Sequence, residues 1–166
     1  MPRARLNSTD ASVDLGGIAK GFGVDAAADA LRRHGVFHGL VNVGGDLVAL
    51  GHDDSGEPWR VGVRSPDAPD GIVEVLSVTD EAVATSGDYL QFFKHGGRRY
   101  HHLLDPATGS PRRTVMRSLT VRAKCCLDAD AAATAIFGAS KETSAQILAS
   151  AGGDVAVLHQ LQEVTP

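Results

Sequence analysis

VDLGGIAKGFGVDAAADALRR, residues 13–33, joins a short strand-like stretch to a helix through four glycines, Gly16, Gly17, Gly21 and Gly23. The spacing predicts a helix from Ile18 to Arg33, with Phe22, Ala26, Ala27, Ala30 and Leu31 on one apolar stripe and Gly35 at its C-terminal stop. A helix entered from a glycine turn offers unpaired N–H groups at its start, and Lys20 adds a positive charge there. The segment is not a Walker A loop, which ends in Gly-Lys-Ser/Thr, and it lacks the Gly-x-Gly-x-x-Gly dinucleotide fingerprint. Two readings of the turn stand open: a phosphate or cofactor site, and a tight strand-to-helix turn in which glycine serves only backbone geometry.

Outward from this helix the chain reads as short strands separated by turns. FHGLVN (37–42) and LVAL (47–50) flank the break Val43-Gly44-Gly45-Asp46. Further strands are expected at 59–64, 72–78, 82–85, 99–104 and 118–122, separated by PDAPDG, KHGGRR and DPATGSP. An alanine-rich helix at 127–137 and a second at 141–151, ending in Gly152-Gly153, precede a closing strand at 155–159. With no internal repeat or linker, residues 1–166 are expected to form one α+β domain: a mostly antiparallel sheet of short strands with about three helices, residues 1–12 being loop.

Composition narrows the function. An apolar fraction of 43% with 22% charged residues is that of an ordinary globular domain rather than a disordered chain. A net charge of −4 and 5% aromatic residues argue against nucleic acid as a partner. The adjacent Cys125 and Cys126 offer neither a disulfide framework nor zinc spacing, and read as small apolar residues near a strand end. The N-terminus MPRARLNSTDAS carries charge with no apolar region behind it, so the chain as given shows no signal peptide and reads as cytoplasmic.

Two polar constellations could carry chemistry. Asp130 and Thr134 stand four apart on one helix face, a carboxylate and a hydroxyl suited to a hard cation that keeps water or phosphate oxygens in its other positions. The competing reading is a helix cap, a role for which Asp128 also competes. The middle of the chain holds ATSGDY (84–89) and YHHLLDPATG (100–109). Strand alternation sends His101 and His102 to opposite faces, so at most one of them serves a given cleft as a base; a surface pair is the alternative. DPATG also makes a good type I turn on structural grounds alone.

Taken in order, VDLGGIAKGFGVD, LVNVGGDLVALG, ATSGDY followed by YHHLLDPATG, and DADAAATAIF resemble the flavin transferase family, the ApbE-type FAD:protein FMN transferases. The resemblance runs from about Val13 to near the C-terminus and implies a T-fold-like domain of that family, of which this chain would be the C-terminal portion. It implies Mg²⁺-dependent cleavage of FAD, with FMN attached to a threonine or serine of an acceptor protein of a redox or electron-transfer system and AMP released. Asp130 and Thr134 match the family's metal ligands, and Gly17 sits where a backbone carbonyl completes that site. His102 matches the histidine of the family's His-Ile-x-Asp-Pro pattern and is the expected base. Lys20, Asn42, Gly44, Gly45, Asp46, Ser86, Gly87, Asp88, Asp105 and Thr108 match stretches that line the flavin nucleotide pocket.

Family members carry a further stretch ahead of the glycine turn, so a missing front segment or a second chain is an expected partner. A sheet edge left open in its place makes a homo-oligomer another. Many members are exported lipoproteins. The alternatives to transfer are a flavin-binding module that transfers nothing and a Mg²⁺-dependent FAD pyrophosphatase giving FMN and AMP.

Overall fold

The computed structural model describes residues 3–68, 70–151 and 154–162. Residues 3–18 contain no helix or strand. The elements that follow are α1 (Ala19–Arg33), β1 (Gly39–Val43), β2 (Asp46–Leu50), β3 (Trp59–Arg64), β4 (Ile72–Val78), β5 (Glu81–Gly87), β6 (Phe92–His95), β7 (Arg98–His101), β8 (Met116–Ala123), α2 (Cys126–Ile136), α3 (Lys141–Ser150) and β9 (Ala156–Gln162). The expected α+β class with three helices and antiparallel strands is what forms. Met1 and Pro2 of the expected N-terminal loop, Pro69 of the PDAPDG turn and the Gly152-Gly153 helix stop lie outside the described residues.

Five strands make the main sheet in the order β1-β2-β5-β8-β9, every neighbour antiparallel. Gly44 and Gly45, with φ of 63° and 103°, close the β1–β2 hairpin in two residues, the left-handed backbone such a turn requires. The central strands are buried on both faces: β2 reads as an apolar run, whereas β8 buries Ser118 and Thr120 between Leu119 and Val121. Val48, Leu50, Ala82, Ala84, Leu119 and Val121 face the side where α1 and α2 pack, with Phe137 and Ala129. Leu47, Ala49 and Val83 face the other way, onto the β3–β4 hairpin with Val78 and Trp59. Trp59 fastens that hairpin by donating its indole N–H to the Leu50 carbonyl at 2.9 Å.

Two expectations are corrected. The buried side of α1 is Gly21, Val24 and Ala28, with Leu31 half-buried, whereas Phe22 is 65% exposed and Ala26 and Ala27 face outward. The cause is a backbone contact: a Cβ at Gly21 would stand 2.4 Å from the Cys126 carbonyl oxygen, so the helices touch where α1 has no side chain. The second is β6, which pairs with β7 across Gly96-Gly97 and was not expected as a strand; all four of its residues are exposed, leaving no alternation to read. Among the described residues no helix is long and apolar enough to cross a membrane.

Candidate functional site

Four separate stretches converge on the helical face of the sheet, where α1 begins, β2 starts and β5 ends. Asp130, 4% exposed on α2, accepts the Gly21 N–H at 3.0 Å through Oδ2. The anion at the start of α1 is thus the protein's own carboxylate. One turn along α2, Thr134 lies against Gly17, where a Cβ would come within 2.9 Å of its Cγ2. The Thr134 hydroxyl is 3.4 Å from that of Ser86 on β5. Beside them Lys20 forms an ion pair with Asp46, which is 1% exposed and accepts the Thr85 N–H at 3.2 Å with its second oxygen. Burial raises the Asp46 pKa above the usual carboxylate value against the pull of Lys20, and the negative charge of Asp130 pushes the same way. Two buried carboxylates with one lysine between them make a locally negative corner.

That corner fits a hard cation. Its side-chain oxygens, a carboxylate and two hydroxyls, are of the kind Mg²⁺ prefers. Among the described residues no three His, Cys, Asp or Glu side chains cluster as a metal-binding group. Neither Asp128 nor Asp130 caps α2. The cap is Asp25 of α1, whose two carboxylate oxygens accept the N–H groups of Cys126 at 2.8 Å and Leu127 at 2.9 Å. Sequence reasoning missed Asp25 because its partners lie 101 and 102 positions away. Cys125 and Cys126 sit where β8 gives way to α2, and burial pushes the Cys126 thiol up to about 12, leaving it an inert core group.

The adjacent histidines separate as strand alternation requires. His101 is buried at the end of β7: its Nε2–H donates to the Arg112 carbonyl at 3.0 Å and its Nδ1 accepts the Leu103 N–H at 3.2 Å. Both ring nitrogens are engaged by main chain, so this imidazole is fixed as a neutral tautomer with no free lone pair. His102 is exposed, and its Nδ1 meets only the Gln91 carbonyl at 3.3 Å. A proton donated from Nδ1 to that carbonyl leaves the Nε2 lone pair facing solvent, the form a base needs. No described contact joins His102 to Asp130 or Thr134.

The remaining expected pocket residues do not share one cavity. Asn42, Gly44 and Gly45 line a cleft of about 660 Å³ between the main sheet and β3, on the opposite face from Asp130. Asn42 accepts the Gly45 N–H at 3.0 Å and so braces the turn. Asp105 and Thr108 stand in a turn on the wall of a second cleft, about 610 Å³. Asp88 borders a third and is held by Arg99 at 3.0 Å and Arg117 at 2.8 Å. Gly87 is covered by Tyr89, whose ring carbon would lie 2.3 Å from a Cβ there. Arg112, which sequence reasoning also missed, reaches from the 105–111 turn to the Thr134, Ala135 and Phe137 carbonyls and caps the C-terminal end of α2.

Residues 2–159 match the model of the ApbE family. A FAD:protein FMN transferase of Vibrio cholerae is 40% identical over 131 residues, covering 78% of this chain and 39% of the relative. One from Treponema pallidum is 39% identical over 153 residues, covering 87% of this chain and 42% of the relative. The chain therefore spans about two fifths of the length of these curated relatives. The crystal structure of the ApbE protein from Thermotoga maritima superposes with a TM-score of 0.77 at 33% identity, over 91% of this chain and 51% of that one. The flavin transferase ApbE from Vibrio cholerae does so at 0.74 and 33%, over 91% and 50%. With the family pattern running through almost the whole chain and the α1–α2–sheet arrangement shared with solved members, this protein belongs to the ApbE family.

Proposed function

We propose that this chain carries a flavin-transfer site that moves FMN from FAD to a threonine or serine hydroxyl of an acceptor protein. The P–O–P linkage of FAD breaks, a phosphoester bond to the hydroxyl oxygen forms, and AMP leaves with the electrons of the broken bond. The observation that carries this reading is the meeting of Gly17, Ser86, Asp130 and Thr134 in one negative corner. Asp130, Thr134 and the Gly17 carbonyl are the donors for Mg²⁺, which when bound supplies charge neutralisation at the pyrophosphate. Lys20, held in place by Asp46, offers a cation to a phosphate oxygen. The Nε2 of His102 accepts the proton of the acceptor hydroxyl.

The test is the intact mass of a threonine-bearing acceptor domain after incubation with the chain, FAD and Mg²⁺, with EDTA as control. A metal-dependent gain of one FMN is expected, lost in Asp130→Ala. His102→Ala should abolish the gain while FAD still binds. No gain with the unaltered chain, or full activity in Asp130→Ala, overturns the assignment, and AMP release with no gain would mark a hydrolase.

A further inference from the structure

A basic groove lies apart from the Asp130 corner. Lys94, Arg98, Arg99, Arg112 and Arg113 line a cleft of about 560 Å³ whose single acid is Asp88. Asp88 is already engaged by Arg99 and Arg117, so it cancels none of the other cations. Arg112 is committed to the carbonyls of α2. Lys94, Arg98 and Arg113 are exposed and make no ion pair among the described residues; Arg98 rests over the Tyr100 ring at 4.9 Å. This is concentrated positive charge on a chain whose net charge is −4. Arg112 and Arg113 also line the 610 Å³ cleft beside Asp105, Thr108 and Ser140.

We infer that this groove docks an acidic, extended segment of a partner protein, which on the transfer reading above is the flavin acceptor. Charge complementarity selects acid. A cleft of about 560 Å³ exceeds what a lone phosphate needs, and among the described residues β6 and β7 pair only with each other, so each leaves an outer main-chain edge on which an extended peptide can pair. Apart from the buried His101 no aromatic ring lines the basic cleft, so it lacks the stacking platform a nucleobase uses. Screening over about 8 Å at physiological salt lets a short segment feel the groove alone, whereas a long polyanion meets the net negative chain. His101 lines the groove wall, and the exposed His102 follows it on the opposite face of the strand.

The experiment is fluorescence anisotropy of a labelled Asp-rich peptide against the full chain, with an Asn-for-Asp peptide, a single-stranded oligonucleotide and inorganic pyrophosphate as comparators. Binding of the Asp-rich peptide alone is expected, falling as salt rises and weakened about tenfold or more by combined Lys94→Glu, Arg98→Glu and Arg113→Glu. All three positions are exposed, and FAD binding by flavin fluorescence should be unchanged in the variant. Equal peptide binding by unaltered and reversed chains overturns the proposal. So does binding of oligonucleotide or pyrophosphate as tight as the peptide's. Failure of the unaltered chain to bind FAD would instead overturn the flavin reading and leave the peptide result standing.

Discussion

His101 titrates against its own hydrogen bonds. To gain a proton at Nδ1 it must give up the Leu103 N–H, and burial independently lowers its pKa below the ordinary histidine value. The unfolded chain takes up this proton near pH 6.5, while the folded chain resists it until lower pH. Stability from this group is therefore complete above that value and is lost as pH falls toward the lower folded pKa. The urea midpoint of the unaltered chain should drop between pH 7 and 5, and His101→Gln should flatten that limb after an initial loss of stability. Equal slopes in the two proteins would remove the argument. Strand alternation alone separates His101 from His102, so that division is legible in the sequence. The tautomer is not, because Arg112 lies eleven residues on, past a turn that only the fold brings back. Asp25 was hidden for the same reason: a carboxylate in mid-helix looks solvated until α2 is laid against it.

At the scale of elements, the α1–α2 contact turns two neighbouring glycines into opposites. Gly21→Ala drives a methyl into the Cys126 carbonyl and should cost about 2 kcal/mol or more, and, on the proposed function, should weaken Mg²⁺-dependent flavin binding because Asp130 shifts with α2. Gly23→Ala meets nothing within 4 Å and should stabilise by about 0.5–1 kcal/mol through helix propensity. Thermal or urea unfolding of the two variants checks the sign of each, and a destabilised Gly23→Ala would contradict the open space seen there. Helix existence and length were legible from turn glycines and apolar spacing. The buried face was not, since a glycine that lets two backbones meet carries no hydrophobic signal and Phe22 carries a false one.

At the scale of the molecule, strand order is what the sequence conceals. β2 pairs with β5 rather than with the β3–β4 hairpin that follows it, and β5 then pairs with β8 across a second hairpin. Each hairpin is local and readable, whereas the skips between them depend on which faces are covered. The site inherits this: Gly21 meets Asp130 across 109 positions, and Ser86 meets Thr134 across 48. Contacts so distant in sequence close only after intervening loops have surrendered their entropy, and they slow folding. The proposed cation corner is therefore expected to form late. After dilution from denaturant, far-ultraviolet circular dichroism should recover first, and Mg²⁺-dependent quenching of flavin fluorescence only with the slowest phase. Recovery of quenching in the fastest phase would place site assembly ahead of sheet closure. With the expected order, the proposed flavin site takes shape only when the closed sheet has brought Gly17, Ser86 and Thr134 together, so a partly folded chain would have no place to hold the nucleotide.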